Sequence, residues 1–174
     1  MAKRGKNSHE PAGTPALQAV VRAGIPHTLH EHAGDLQATD IHGRGEIGPE
    51  SARQLGVSPD RVFKTLIADC SGRLVVGVVP VSHHLDLKAL ARAIGAKKAQ
   101  MADPAVAERS SGYVVGGISP LGQRTPLLTV VDDSALAQQT VFVSAGKRSL
   151  KLEIAPDDLI RLLDARVATI RTLD

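Results

Sequence analysis

Short apolar runs alternate with polar, glycine- or proline-marked breaks along nearly the whole chain, and the runs switch between helical and strand periods. Thr14 reads as an N-cap, Pro15 fits the first turn, Leu17, Val20 and Val21 form an apolar stripe, and Gly24 stops the helix. His27 to His32 reads as a short, partly exposed strand, and from Ala33 to Gly48 no period is sustained. A short helix from Pro49 to Leu55 ends at Gly56, and Ser58-Pro59 turns the chain into a strand from Val62 to Ala68. Ser71-Gly72 marks a hairpin, and Leu74 to Val81 is apolar enough for a strand covered on both faces. Asp86 caps a helix with Leu87, Leu90, Ala91 and Ile94 on one face and Gly95 at its end.

The second half follows the same grammar. A short strand from Ala99 to Met101 precedes a helix that starts at Asp103-Pro104, and Tyr113 to Val115 is predicted as a strand running into Gly116–Gly122. Further strands are predicted at Leu128–Val131, Val141–Ser144, Leu150–Ile154 and Val167–Ile170, with a helix over Asp157–Leu163. Without strict strand–helix–strand alternation, the expected class is a single α/β domain with a mixed, mostly antiparallel sheet.

Composition narrows the picture. A chain of 174 residues suits one domain plus a tail; residues 1–13, polar and basic, are expected to be that disordered tail, and residues 14–174 the domain. Two Phe, one Tyr and no Trp argue against a base-stacking platform for single-stranded nucleic acid. Of the net charge of +3, Lys3, Arg4 and Lys6 set against Glu10 supply +2, so the body is nearly neutral and lacks a broad basic footprint for DNA. Only local basic clusters remain, at Lys97-Lys98 and at Lys147-Arg148 with Lys151. The lone Cys70 rules out a disulfide framework. No secretory h-region or membrane-length apolar stretch is visible, and the expected location is the cytoplasm.

Three segments could carry chemistry. Lys64 sits in the strand Val62-Phe63-Lys64-Thr65-Leu66-Ile67-Ala68, sharing a face with Val62, Leu66 and Ala68 while Phe63, Thr65 and Ile67 take the other. A cation there either guards a strand edge or points into a cleft for an anionic or carbonyl ligand. The loop Gly116-Gly117-Ile118-Ser119-Pro120-Leu121-Gly122 could bring backbone N–H groups to an oxyanion or carboxylate. It lacks the helix start of a dinucleotide fingerprint. Ser144-Ala145-Gly146-Lys147-Arg148 matches S-x-x-K in form, yet Gly146 breaks the helix which that signature needs; a small hydroxyl and glycine closing a ligand site, or plain turn chemistry, fit better. His27, His30, His32, His42, His83 and His84 lack metal-ligand spacing, and Cys70 has no neighbour to activate it.

Taken together, RVFKTL at 61–66, LDLKALARAIGAKKAQMADP at 85–104, RSSGYVVGGISPLGQ at 109–123 and VFVSAGKRSLKLEIAP at 141–156 resemble the YbaK/EbsC family. These are free-standing relatives of the editing domain of bacterial prolyl-tRNA synthetases, and the resemblance runs from about Thr14 to Ile170, strongest to the YbaK type, which removes cysteine mischarged onto tRNA(Pro). It implies a partly closed mixed sheet flanked by helices, with a small site for the aminoacyl group. The family's strand lysine required for activity falls on Lys64, its glycine loop on Gly116 and Gly117, and its pocket serine on Ser144. The remaining expected substrate contacts are His32, Ile47, Thr65, Ile118, Ser119, Pro120, Ala145, Gly146 and Lys147. The resemblance implies no metal or organic cofactor, the 3′ end of tRNA(Pro) as partner, and prolyl-tRNA synthetase as a candidate for supplying tRNA selection. The implied mechanism is substrate-assisted, with the cysteinyl thiol attacking its own ester.

The chain departs from the pattern at His32, where Tyr is usual, and at Ile47, where an aromatic is usual. It reads GKRSLK for GKRGLD, putting Ser149 and Lys151 in place of Gly and Asp, and its 33–48 segment is long. These departures keep open a different small mischarged residue, such as alanine on tRNA(Pro), and a non-catalytic synthetase-associated module.

Overall fold

Helix boundaries in the computed structural model, which describes residues 13–31 and 47–173, fall where the caps predict. The Thr14 hydroxyl accepts from the N–H of Leu17 to start α1 (Pro15–Ala23), and Gly24 ends it in the left-handed conformation. Asp86 and Asp103 cap α3 (Leu87–Ile94) and α4 (Pro104–Ser111) in the same way, with Gly95 and Gly112 closing them. The remaining α-helices among the described residues are α2 (Ile47–Leu55) and α5 (Pro156–Leu163). Residues 1–12 of the expected tail, His32 and residues 33–46 lie outside the described residues.

Eight strands are described: β1 (His27–Glu31), β2 (Phe63–Cys70), β3 (Arg73–Pro80), β4 (Gln100–Met101), β5 (Leu128–Asp132), β6 (Val141–Lys147), β7 (Leu150–Ile154) and β8 (Arg166–Ala168). They form two hydrogen-bonded sheets, ordered β4-β2-β3-β5-β8 and β1-β7-β6. The domain is α/β with mixed pairing: β3–β5 and β5–β8 are parallel, and the other four pairings are antiparallel. The expected single α/β domain with mixed, mostly antiparallel pairing is borne out; its strands fall in two sheets, not closed into a barrel and joined by a parallel bridge between Val62 and Phe142. The junction arises because β4 pairs with β2 only at Ala68 and Asp69, which leaves the start of β2 open toward β6.

Strand alternation sorts the side chains. Phe63 and Ile67 of β2 join Val141, Val143 and Ala145 of β6 and Leu150, Leu152 and Ile154 of β7 in the main core, beneath α1 and α5. On the opposite side, Val62 and Phe142 pack with Ala52 of α2, and Ala68, Val75 and Val79 pack with Leu90 of α3. Of the predicted stripe on α1, Leu17 and Val20 are buried but Val21 is largely exposed.

A correction concerns Tyr113 to Val115, which form no strand. Gly112 turns the chain at the end of α4, the Tyr113 N–H donates to Ser111 Oγ, and the Tyr113 hydroxyl donates to Leu121 O at 2.7 Å. Strand propensity in Tyr-Val-Val is overridden because the segment is folded onto itself instead of lying beside another strand.

Candidate active site

The surface that matters runs across the junction between the sheets. Val62 bridges Phe142 in parallel register, so Lys64 and Ser144 follow two residues further on, on the same side. Ser144 is paired with Lys151 across β6 and β7, and Lys151 with His30 across β7 and β1. One face therefore carries, from strand to strand, Lys64, Ser144, Lys151 and His30. The opposite face belongs to the core through Phe63, Val143, Leu150 and Leu152.

Lys64 is half-buried, and burial holds its ammonium below the usual lysine range. Lys151 is 6% exposed, and desolvation lowers it to about 8. Neither lysine has an ion-pair partner among the described residues. Glu153, two residues beyond Lys151 on the same face, is already committed. It takes the Thr140 hydroxyl, His30 Nε2 at 2.9 Å and Arg61 Nη2 at 3.4 Å. The Thr140 hydrogen bond, with those of His30 and the charge of Arg61, holds its carboxyl below the usual range against the effect of burial. Arg61 lies over the Phe142 ring, 5.1 Å from its centroid, which fixes this group beside the row.

The glycine loop reaches the row through Ser144. Its Oγ donates to Gly117 O at 3.0 Å and accepts from Gly146 N–H at 3.1 Å. Arg148 grips the same loop, donating from Nε and Nη2 to Val115 O at 3.2 and 2.8 Å. Contact is close enough that a Cβ on Gly117 would lie 3.0 Å from the backbone N of Arg148, and one on Gly116 would lie 2.7 Å from Arg148 Nε. Gly116 also has φ of 91°, a conformation that disfavours other residues.

Several expected contacts need correction. The Gly117 N–H donates to Val114 O at 2.8 Å, so it is not a free oxyanion donor; the Gly116 N–H has no backbone partner among the described residues. Thr65 and Ala145 face the main core side; the Thr65 hydroxyl has no partner among the described residues, and the Ala145 carbonyl accepts from Thr14 Oγ1 at 2.6 Å. Ser119 is fully buried and accepts the Leu121 N–H, Pro120 is buried, and Ile118 packs against the core. A Cβ on Gly146 would meet Tyr113 and Thr14, so that glycine serves packing, and Lys147 is exposed. His32 and the Ile47 side chain lie outside the described residues. Lys151, His30, Glu153 and Arg61 are not among the site residues expected from the sequence, although Lys151 stands out there as a departure and His30 as one of the clustered histidines. Alternation in Leu150-Lys151-Leu152-Glu153-Ile154 was the available signal for the first and third, since it places both opposite the core residues.

A row of desolvated cations beside a backbone loop suits a ligand whose carbonyl or ester oxygen gains negative charge. Comparison with known proteins agrees with that chemistry. The family model described as the aminoacyl-tRNA editing domain matches residues 47–162, and the chain belongs to that family. Among relatives, it is 35% identical over 161 residues to EbsC of Enterococcus faecalis, assigned as a Cys-tRNA(Pro)/Cys-tRNA(Cys) deacylase, covering 91% of this chain and 93% of EbsC. It is 28% identical over 112 residues to the proline–tRNA ligase of Moorella thermoacetica, 64% of this chain but 19% of that ligase. The solved structure of a protein described as a trans-editing enzyme for prolyl-tRNA synthetase superposes with a TM-score of 0.79 at 22% identity, covering 95% of this chain and 99% of that one. At that identity the likeness is one of fold.

Proposed function

We propose that this protein removes cysteine mischarged onto tRNA(Pro), acting in trans through residues 14–174 as an editing domain. Membership of the editing family makes the chain an aminoacyl-tRNA deacylase; the amino acid and the tRNA are the finer reading. One observation carries it: Lys64, desolvated and without an acidic partner among the described residues, lies on the same side as Ser144, which anchors the Gly116-Gly117 loop. Lys64 compensates charge on the ester carbonyl or the departing 3′ oxygen, and Gly116 supplies a backbone donor. Neither is a nucleophile. A substrate bearing its own thiol needs none from the protein, because the thiol is already tethered to the ester it attacks.

The near-neutral body supports a partner, such as prolyl-tRNA synthetase, that contributes tRNA selection in the cytoplasm. The test is single-turnover deacylation of Cys-tRNA(Pro), Ala-tRNA(Pro), Pro-tRNA(Pro) and Cys-tRNA(Cys) by wild type and Lys64→Ala. Cys-tRNA(Pro) is expected to react fastest, and Lys64→Ala to lose about 10²–10³-fold in rate, the scale of one transition-state donor. An undiminished Lys64→Ala rate, or equal rates for alanine and cysteine, sinks the reading.

A further inference from the structure

We propose that Lys151 accepts the proton of the attacking substrate thiol in the deacylation. This rests on the proposed function and adds a catalytic residue to it. The case starts from position: Lys151 stands directly across from Ser144, the residue that ties the glycine loop to β6, and on the same side as Lys64. It is 6% exposed, on a strand whose alternate residues Leu150, Leu152 and Ile154 fill the core, so its side chain is enclosed on the opposite, polar face. A lysine so enclosed normally brings a carboxylate with it.

Among the described residues, none of the surrounding groups supplies one. From β7 itself, Glu153 is held by Thr140, His30 and Arg61. From β1 the neighbour is His30, whose Nε2 is spent on Glu153. From β6 it is Ser144, an uncharged hydroxyl that donates to Gly117 O and accepts from Gly146 N–H, and from β2 the second cation, Lys64. The end of β6 and the turn after it add only Lys147 and Arg148, the latter bound to Val115 O. Over this side, α2 packs through Ala52; its charges Glu50 and Arg53 pair with each other, and its Ser51 is fully buried with no hydrogen-bond partner among the described residues. Two enclosed polar groups, Lys151 and Ser51, thus belong to one side of the molecule and have no side-chain hydrogen-bond partner among the described residues.

Desolvation brings the Lys151 ammonium to about 8, close to an ordinary thiol, so proton exchange between the two is nearly balanced. In the step, the neutral Nζ takes the thiol proton, breaking S–H and forming N–H. The thiolate sulfur then bonds to the ester carbonyl carbon as the bond from that carbon to the 3′ oxygen breaks. The electron pair leaves on the 3′ oxygen, which takes the proton back from Lys151. Free tRNA and a cysteine thiolactone result, and Lys151 is neutral again.

The test is the pH dependence of single-turnover deacylation of Cys-tRNA(Pro) by wild type, K151M and K151R, with circular dichroism to confirm folding. Wild-type rate is expected to rise with pH and level off near 8. Both variants are expected to lose about 10²-fold and that limb of the profile, since a guanidinium keeps the charge but cannot accept a proton. A K151R rate equal to wild type overturns the proposal, as does an unchanged K151M profile. Lysine-selective NMR titration of wild type gives a reading that needs no variant: Nζ of Lys151 titrating near 8 supports the step, and titration above 10 overturns it. Inactive wild type on every aminoacyl-tRNA fails the proposed function itself; active wild type with indifferent variants fails only the role of Lys151.

Discussion

Ser144→Ala separates a serine that touches substrate from one that holds the loop. The hydroxyl donates to Gly117 O and accepts from Gly146 N–H, so removing it strands an acceptor and a donor together. Gly117 is buried, and an orphaned buried acceptor costs about 1–3 kcal/mol. Gly146 is half-buried, so water recovers part of the second loss. Arg148 still donates twice to Val115 O, which keeps the loop near the turn and caps the damage. The expected total is roughly 2–3 kcal/mol, a loss comparable to leaving one buried group wholly unpaired. Equilibrium urea unfolding followed by circular dichroism reads this directly. With a slope of about 2 kcal/mol/M, the midpoint falls by about 1–1.5 M while the slope stays constant. Deacylation is expected to fall less than about tenfold, because the loop is loosened and no reacting atom is removed. A midpoint within about 0.3 M of wild type would refute the reasoning, because at that slope it leaves less than about 0.6 kcal/mol for two broken hydrogen bonds. Unchanged stability with abolished turnover would instead put the hydroxyl on the substrate.

Two further outcomes follow from buried charges. Asp132 is fully buried, and its carboxylate accepts from the N–H groups of Ile170, Arg171 and Ser134 and from Arg171 Nη1, tying the segment after β8 to the end of β5. Asp132→Asn should cost roughly 3–5 kcal/mol in urea unfolding, as for a buried pair that loses one partner. Burial alone would raise this carboxyl, but hydrogen bonds at Ser134, Ile170 and Arg171 hold it below its ordinary value. Its stabilisation is therefore present above the ordinary carboxylate range and lost as pH falls through the depressed folded-state value; acid-induced loss of midpoint should be shallower in Asp132→Asn. Lys151 moves stability the same way with pH but for the reverse reason, since here the fold disfavours the charged form: the folded state binds fewer protons between about 8 and 10.5, so stability again rises with pH across that window. At pH 7 the penalty is roughly 3 kcal/mol at 1.36 kcal/mol per unit, and Lys151→Met should raise the urea midpoint there; a lower midpoint would contradict the assigned burial penalty.

Helix punctuation was legible because caps are local. Thr14, Asp86 and Asp103 accept N–H groups within three residues, and Gly24 and Gly95 turn the chain where the periodic residues stop. The apolar run of β3 was equally plain, since a strand enclosed by β2 and β5 leaves no polar face to write. Long-range choices were less visible. Tyr113-Val114-Val115 has strand composition, yet its hydrogen bonds go to Ser111 and from the loop at Gly117, partners that composition does not reveal. The same holds for Gly117, whose glycine is required by the approach of the Lys147-Arg148 backbone and whose N–H serves its own turn. Lys64 and Ser144 could be picked out individually in the sequence. Their common side depends on the Val62–Phe142 bridge, which joins residues 80 apart.

The treatment of charge across the fold gives this row its meaning. Asp132 and Glu153 are each surrounded by donors that hold the carboxylate charged, so both contribute to stability as they stand. Lys64 and Lys151 are treated otherwise: burial opposes their charge, and no described acid answers it. Such groups lower the stability of the free protein, and the cost is recovered only when negative charge arrives between the strands that carry them. An ester substrate brings little of that charge when it binds. More develops on the carbonyl and 3′ oxygens as the bond breaks, so the interaction strengthens toward the transition state and acts on the rate more than on binding. Filling the row with permanent carboxylates would make a more stable protein, and by satisfying the lysines in advance would leave them nothing to offer the reaction.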